Sequence, residues 1–460
     1  MSWEKKEECG VVGIISKKGK PVAQALYKAL VALQHRGQDA AGFAVLDDGK
    51  IESRRGLGLV SEIFKEEDLK LKGNVGIGHT RYPTTGRCLI SDVQPTVLGE
   101  FALAHNGHIS NYDLLRKELE EKKVKFDGSV DSEMIARVMQ DKKGGIEEKV
   151  KNVMEKLDGA YSAASIYEGK LVLFRDPNGL RPFVYGKNED FVCFASETVA
   201  LDINGMKYVD DVSSGEMIVV DGKNIEKKKL KEEKLHHCMF EWVYFSRPDS
   251  YINKKYVFEV RKELGKQLAK EHPVEADLVM AVPDTARTAA SAFSREIGIP
   301  IEEGLIKNRY IGRTFIMPSQ EERKEAVRMK LNVIDELIKE KRVVLVDDSI
   351  VRGTTLKEIV GMVKGAGAKE VHLRITCPPI KAPCFYGVDM STFEELIANK
   401  KTIEEIKKYL NVESLGYISI EGLKKSINLP LCTGCLNEEY PTKYGEKLAK
   451  ERKGGTDGCC

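Results

Sequence analysis

Short apolar runs bounded by turn residues dominate the first half of the chain and predict β-strands. They fall at residues 10–15, 41–46, 74–79, 101–106, 163–166, 170–174 and 216–220. Apolar positions recur at helical spacing near residues 22–34 and 111–121. The lysine-rich segment 223–234 is typical of a hairpin end or a linker. Strands with few helices predict antiparallel sheets covered by helices, which is an α+β layered domain.

The second half of the chain changes to an alternation of helices and strands. Helices are predicted at 257–270, 285–297 and 354–366, and strands at 277–282, 342–346 and 370–376. Apolar strands that alternate with helices predict a parallel, doubly wound α/β sheet. We therefore predict a β-rich domain over residues 9–235 and an α/β domain over residues 250–450. The end of the chain, residues 451–460, is predicted to be a disordered tail.

Composition narrows the class of protein but does not define its activity. The chain has 460 residues, of which 42% are hydrophobic and 31% charged, and a net charge of +2. This balance gives no reason to expect a nucleic-acid or membrane partner. The charged N-terminus lacks an apolar signal segment, so a cytoplasmic location is expected. The ten cysteines are then candidates for catalysis or metal binding rather than for disulfides.

Four motifs and one aspartate stand out in the first half. They are the runs 9–13 (CGVVG), 34–39 (QHRGQD), 79–86 (HTRYPTTG) and 105–107 (HNG), followed by Asp131. Singly, each is unremarkable: a lone cysteine such as Cys9 is commonly a small buried residue, and Asn-Gly is commonly a hairpin turn. The combination of the four motifs with Asp131, rather than any one of them, favours a functional interpretation.

In that order and spacing, residues 9–235 resemble the N-terminal-nucleophile glutamine amidotransferases. The resemblance implies an αββα sandwich and a propeptide of residues 1–8 whose cleavage makes Cys9 the first residue. A free α-amine has a pKa near 8 and can act as the base for its own thiol. The resemblance further implies that Arg81 binds the glutamine α-carboxylate and Asp131 its α-ammonium. It assigns the oxyanion hole to Asn106 and Gly107, and supporting or glutamine-binding positions to His79, Thr80 and His105.

The most specific motif of the second half spans residues 343–355 (VVLVDDSIVRGTT). Four apolar residues predict a buried parallel strand, and Asp347 and Asp348 stand at its carboxyl end, where open α/β sheets bind ligands. The loop that follows leads into a helix whose N–H groups can cradle a phosphate. The paired carboxylates suit ribose hydroxyls and a magnesium ion. A strand followed by an ordinary capped helix is the simpler interpretation.

This segment resembles the phosphoribosyl pyrophosphate motif of type I phosphoribosyltransferases, and the run 282–286 (VPDTA) resembles their pyrophosphate loop. Magnesium is then expected at Thr285, Asp347 and Asp348. The basic, aromatic segment 307–316 is expected to form a lid. The predicted ligands of phosphoribosyl pyrophosphate are Asp347, Asp348, Ser349, Arg352, Gly353, Thr354, Thr355, Lys307 and Arg313.

The two resemblances together imply that ammonia from glutamine is transferred to C1 of phosphoribosyl pyrophosphate, as in the committed step of purine synthesis. They also imply a homotetramer inhibited by purine nucleotides. A glutaminase with another acceptor, as in hexosamine or asparagine synthesis, lacks a phosphoribosyl motif. A non-enzymatic phosphoribosyl pyrophosphate sensor would not need Cys9, Arg81, Asn106 and Asp131 together.

Four further cysteines suggest a metal or cluster site. Cys432 and Cys435 have the two-residue spacing suited to a metal or cluster. From the residues alone, zinc is equally possible, and Cys238 and Cys384 could simply be buried. At all four cysteines the chain resembles one branch of the glutaminase–phosphoribosyltransferase proteins, a branch that also carries a propeptide. This resemblance implies a [4Fe–4S] cluster.

Overall fold

Two antiparallel β-sheets form the centre of the first half of the molecule. The computed structural model describes residues 9–82, 89–308, 329–390 and 392–453. Within these residues the first sheet has seven strands, in the spatial order Lys207–Asp211, Val184–Lys187, Phe191–Ala195, Gly10–Ser16, Val75–Arg81, Ala40–Asp47 and Lys50–Leu57. The described part of the second sheet has six, in the order Asn224–Lys229, Glu216–Asp221, Lys170–Arg175, Gly159–Tyr167, Phe101–Ile109 and Thr96–Leu98.

The strand Gly10–Ser16 shows why the sheets stack, because both of its faces are buried. Val11 belongs to the apolar core shared with Leu173 of the second sheet. Ile14, on the opposite face, belongs to the core shared with Leu26 of a covering helix. Since side chains alternate along a strand, one strand contributes to two cores.

Helices cover the outer face of each sheet. Ala23–Ala32 covers the first sheet, and the second is covered by Tyr112–Glu121, Asp131–Asp141 and Ile146–Lys156. Short helical segments lie at Gln34–Arg36, Val60–Ile63, Asp68–Lys70, Ile90–Asp92 and Val199–Asp202. The result is a helix–sheet–sheet–helix stack, and the predicted αββα sandwich is confirmed.

A parallel sheet organises the second half. Its strands lie in the order Leu278–Ala281, Arg342–Asp347, Glu370–Ile375 and Ser414–Tyr417. Val279 also forms a parallel bridge to Ile301 on the other side of the first strand. After the strand Leu278–Ala281 the chain first runs to Ile301 on one side of this strand and later returns as Arg342–Asp347 on its other side. The carboxyl ends of these two strands are therefore the topological switch point of the sheet.

Helices surround this sheet, and short strand pairs flank it. The helices are Val257–Glu271, Arg287–Ile297, Asp335–Ile338, Thr354–Gly365, Ile397–Lys400, Ile403–Leu410, Ile420–Ile427, Gly434–Asn437 and Lys443–Lys453, with a π-helical turn at Glu241–Phe245. Within the part of the chain that the structure describes, the short strands form three pairs: His237–Cys238 with Leu431–Cys432, Tyr251–Ile252 with Lys255–Tyr256, and Leu305–Lys307 with Leu331–Val333.

The prediction of a disordered tail at 451–460 is wrong for its first residues. The helix Lys443–Lys453 continues through residues 451–453. It is anchored because Ala449 packs in a core with Phe385 and Lys453 forms an ion pair of 2.8 Å with Glu438. The predicted propeptide and residues 454–460 lie outside the described residues. In the described part of the chain, no helix has the length and apolar character needed to cross a membrane.

Candidate active sites

Cys9 lies at the edge of the first sheet where the strand Gly10–Ser16 begins and the neighbouring strand Val75–Arg81 ends. It directly precedes the strand Gly10–Ser16, whose Gly10 pairs with Thr80 of the neighbouring strand. Its thiol is half-buried and donates to the carbonyl of Tyr82 over 3.7 Å. Cys9 therefore stands beside the end of the strand that carries Arg81.

A buried ionic network holds the backbone of Cys9. The Nε of Arg36 donates to the Cys9 carbonyl at 3.0 Å. Its two terminal nitrogens contact Glu197 at 2.6 Å and Glu241 at 2.7 Å. Burial alone would raise the pKa of Glu197, but the neighbouring His35 and Arg36 hold that pKa well below its usual range. Because Glu241 begins the segment that leads into the second domain, the nucleophile's backbone is tied to the domain junction.

Arg81 is oriented by the backbone. One terminal nitrogen donates to the carbonyl of Asp92, while its buried Nε has no hydrogen-bond partner among the described residues. A buried guanidinium nitrogen without a partner is costly, so this atom suits a carboxylate ligand. Gly37 is required here, since a Cβ would lie 2.7 Å from the Arg81 backbone. Residues 83–86 of the same motif lie outside the described residues.

Asn106 and Gly107 present donors on the second sheet. The Asn106 side chain is 1% exposed, and within the described residues its Nδ2 has no hydrogen-bond partner. Gly107 has a φ of 140°, and a Cβ would lie 1.9 Å from the carbonyl oxygen of Ala160. Only glycine fits this position. The pair is therefore an unsatisfied amide beside an obligatory glycine, as an oxyanion hole requires.

Asp131 is paired with His108, a residue outside all four sequence motifs. Asp131 starts the helix Asp131–Asp141, and its Oδ2 lies 2.8 Å from Nδ1 of His108. The same oxygen accepts the N–H of Ile109 at 2.7 Å. Burial alone would raise the pKa of Asp131, but the charge and hydrogen bond of His108 lower it to about 2. Because the pairing joins a strand to a distant helix, no local sequence signal reveals it.

Two buried histidines lie between the glutamine-site residues. Among the described residues, neither ring of His79 nor of His105 has a hydrogen-bond partner. Burial lowers the pKa of His105 to about 4, with smaller effects from Asp131 and Arg81. Burial also lowers the pKa of His79 well below its usual value, so both rings are neutral at physiological pH. Thr80 donates its hydroxyl to the carbonyl of Leu33 at 3.4 Å, so that hydroxyl has a partner within the fold.

Asp347 and Asp348 lie at the switch point of the parallel sheet. The side chain of Asp347 accepts the N–H of Asp348 at 2.8 Å. Asp348 in turn accepts the hydroxyl of Ser349 at 2.9 Å. All three residues are buried. Thr285 follows the adjacent strand and is half-buried, so carboxylates and a hydroxyl follow the two strands that define the switch point.

The loop after Ser349 leads to the N-terminus of a helix. Gly353 precedes the helix Thr354–Gly365 with a φ of 75°, and no side chain caps the helix there. The N–H groups of Thr354 and Thr355 are therefore placed where a phosphate would accept from them.

Two predicted phosphate-binding cations are paired with carboxylates in this structure. Lys307 lies 3.4 Å from Asp284, and Arg352 forms an ion pair with Glu395. These contacts must exchange if the two cations bind phosphate. Arg313 and residues 309–316 of the predicted lid lie outside the described residues.

The four cysteines line one cavity at the domain junction. Its lining comprises Cys238, Cys384, Cys432 and Cys435 together with Leu180, Met239, Phe240, Tyr386, Val388 and Tyr440. Cys238 and Cys432 stand opposite each other in paired strands. Burial raises the pKa of the Cys432 thiol to about 12, so ligation would have to displace its proton. No three His, Cys, Asp or Glu side chains of the described residues form a single-ion site.

The segment that carries Cys384 also touches the glutamine site. Ser110 donates to the carbonyl of Phe385 at 2.7 Å. A Cβ on Gly387 would lie 3.2 Å from the carbonyl carbon of Gly107 and 3.1 Å from a nitrogen of Arg181. The second domain therefore packs directly against the predicted oxyanion hole.

Comparison with known proteins agrees with this two-part organisation. A family model described as a glutamine amidotransferase domain matches residues 84–202. A second, described as a phosphoribosyl transferase domain, matches residues 251–398. The fold and the two sites thus define a glutamine amidotransferase joined to a phosphoribosyltransferase.

Full-length relatives narrow the class further. The chain is 47% identical to the amidophosphoribosyltransferase of Methanothermobacter thermautotrophicus, over 97% of both chains. It is 43% identical to that of Bacillus subtilis, over 95% of this chain and 94% of the relative. The chain belongs to the amidophosphoribosyltransferase family, the glutamine-dependent phosphoribosyltransferases of the first step of purine biosynthesis.

Solved structures support the same assignment. The glutamine phosphoribosylpyrophosphate amidotransferase of Bacillus subtilis, described as complexed with ADP and GMP, superposes with a TM-score of 0.89 at 42% identity, over 95% of this chain and 98% of that one. Another, described as the allosteric regulatory enzyme of purine biosynthesis, superposes with a TM-score of 0.90 at 42% identity, over 95% and 97%.

Proposed function

We propose that the two sites act in sequence, so that ammonia released from glutamine attacks C1 of phosphoribosyl pyrophosphate and yields phosphoribosylamine, glutamate and pyrophosphate. The observation that carries the proposal is the direct packing of Gly387, from the second domain, on Gly107. This shared boundary favours internal transfer. Ammonia released into neutral water would be protonated and would lose its nucleophilicity.

In the first half-reaction, the thiolate of Cys9 attacks the amide carbon of glutamine. The thiol proton passes to the α-amine of Cys9 and then to the departing ammonia. The Nδ2 of Asn106 and the N–H of Gly107 stabilise the tetrahedral oxyanion. Arg81 binds the α-carboxylate and Asp131 the α-ammonium. Water then hydrolyses the thioester to give glutamate.

This use of an α-amine requires that residues 1–8 be removed as a propeptide. Thr80 and His105 line the same site in the proposal. The Thr80 hydroxyl supports the end of its strand. The His105 ring is neutral, so Arg81 supplies the positive charge for the α-carboxylate of glutamine.

In the second half-reaction, Asp347 and Asp348 hold the ribose hydroxyls. Phosphate groups bind to the loop, to the start of the helix and to three cations. This set comprises Ser349, Arg352, Gly353, Thr354, Thr355, Lys307 and Arg313. Thr285, Asp347 and Asp348 supply the hard oxygen donors that magnesium prefers, and we propose them as its site. Magnesium bound there would neutralise charge on the departing pyrophosphate.

We further propose that Cys238, Cys384, Cys432 and Cys435 hold a [4Fe–4S] cluster. Support comes from their convergence on one mainly apolar cavity. In such a cluster each thiolate binds a different iron, so the ligands surround a volume rather than one point. The cluster would join the start and the end of the second domain.

Purine nucleotides are proposed as feedback inhibitors of a homotetramer. Support for nucleotide binding comes from the Bacillus subtilis relative, which is described as complexed with ADP and GMP.

The test measures glutamate and phosphoribosylamine formation by the full chain with and without phosphoribosyl pyrophosphate. We expect Cys9→Ala to abolish synthesis from glutamine but to retain synthesis from concentrated ammonia. Asp347→Ala is expected to lose synthesis with either nitrogen source, because the ribose is no longer positioned. Ammonia-dependent synthesis by the Asp347 variant, or glutamine hydrolysis that is indifferent to phosphoribosyl pyrophosphate, would contradict the proposal.

A further inference from the structure

His108 stands between the predicted oxyanion hole and the predicted ammonium site. It follows Gly107 on the strand Phe101–Ile109, and its Nδ1 lies 2.8 Å from the Oδ2 of Asp131. The side chains of His108 and Asp131 are 37% and 17% exposed. Both side chains are therefore partly accessible to solvent.

The charges around His108 favour its protonated form. Burial alone would lower the pKa of His108, but the Asp131 carboxylate outweighs this effect and the pKa is raised. Asp113 adds a weaker effect in the same direction, and Arg452 opposes it. The neutral ring of His105 lies nearby. His108 therefore keeps its proton to a higher pH than an unperturbed histidine does.

This pairing creates a competition for one carboxylate. A protonated His108 neutralises Asp131 and places a positive charge beside the position that the α-ammonium of glutamine must take. A neutral His108 can still donate Nδ1–H to Asp131, which then keeps its full charge for the substrate. An opposite charge within hydrogen-bonding distance changes a binding equilibrium by about tenfold or more.

We propose that His108 is a positioning residue that makes the affinity for glutamine depend on pH, because its protonated ring competes with the substrate's α-ammonium for Asp131. The inference rests on the proposed role of Asp131. It predicts that the KM for glutamine falls as the pH rises through the titration of His108. It also predicts that kcat follows a different titration, since kcat depends on the α-amine of Cys9.

The experiment compares the full chain with His108→Gln, which keeps a side-chain N–H donor but does not titrate. KM and kcat for glutamine are measured from about pH 5.5 to about pH 8.0, with phosphoribosyl pyrophosphate saturating. Over this range we expect KM to fall about tenfold in the unmodified chain and to stay nearly constant in the variant. Ammonia-dependent synthesis should be equal in both, which controls for folding.

A second measurement needs no variant. Glutaramate, the glutamine analogue without an α-amine, makes no contact that His108 could oppose, so its inhibition constant should not follow the titration that glutamine follows. If glutamine and glutaramate show the same pH dependence, or if His108→Gln keeps the pH dependence of the unmodified chain, the inference is overturned. An unchanged KM in Asp131→Asn would instead overturn the proposed ammonium site.

Discussion

The contact between Gly387 and Gly107 allows the coupling of the two domains to be tested by adding one methyl group. In Gly387→Ala the new Cβ would lie 3.2 Å from the Gly107 carbonyl carbon and 3.1 Å from the Nη2 of Arg181. Carbon atoms in contact normally lie about 3.5–4.0 Å apart. One of the two backbones must therefore shift by a few tenths of an ångström, in a site where the N–H of Gly107 is proposed to bind the oxyanion.

The substitution also strains the backbone, and Gly144→Ala isolates that effect. Gly387 has a φ of 110° and Gly144 a φ of 113°, so alanine at either position costs on the order of 1–3 kcal/mol of stability. The nearest atoms to a Cβ at Gly144 belong to the side chain of Glu148, at 3.3 Å and beyond. The nearest of them is the Glu148 Cβ, so the local backbone must also shift slightly, but neither Gly144 nor Glu148 belongs to either site.

Glutamine hydrolysis distinguishes the two variants. Loss of an oxyanion donor lowers kcat by about 10²–10³-fold, so a partial displacement in Gly387→Ala should lower it about tenfold or more. Gly144→Ala should hydrolyse glutamine normally. Ammonia-dependent synthesis and a urea denaturation curve establish that both variants are folded. If Gly387→Ala hydrolyses glutamine as fast as Gly144→Ala, the contact does not position the oxyanion hole.

Three further predictions follow from the same structure. Intact-mass analysis of active enzyme should show a chain that begins at Cys9, and full glutaminase activity in a chain that retains residues 1–8 would contradict it. Protein purified without oxygen should contain about four iron and about four sulfide per chain, whereas stoichiometric zinc without sulfide would reject the cluster. The pKa of His105 is lowered by burial from 6.5 to about 4, so below pH 6.5 the unfolded chain binds a proton that the folded chain does not. This group alone should therefore lower the free energy of unfolding by about 3 kcal/mol on acidification to about pH 4, and the fall measured by urea denaturation should be shallower in His105→Gln.

Local patterns predict most of the elements that position the two sites. The strand predicted at 342–346 is observed as Arg342–Asp347, and the helix predicted at 354–366 as Thr354–Gly365. Both carry strong signals, a continuous apolar run in the strand and helical spacing in the helix. The helix Asp131–Asp141 is missing from the prediction, although its buried Met134 and Val138 have helical spacing and were a usable signal.

Contacts between distant segments cannot be predicted from local sequence patterns, for a physical reason. The pairing of His108 with Asp131 and the packing of Gly387 on Gly107 depend on how sheets and domains stack, and periodicity reports only which face of one element is buried. The motifs predict which residues belong to each site. They do not predict that Lys307 is paired with Asp284 in this structure, because charge partners are set by the folded geometry.

The parallel pairing of His237–Cys238 with Leu431–Cys432 has a consequence for how the molecule is assembled. The chain enters the phosphoribosyltransferase region through one of these strands and leaves it through the other. Entry and exit are therefore neighbours, as in a module spliced into a host at a single point. An acceptor domain exchanged at the junction beside Cys238 and Cys432 would therefore leave as one segment and would take Cys384 and Gly387 with it, so a working chimaera must replace the contacts that these two residues make.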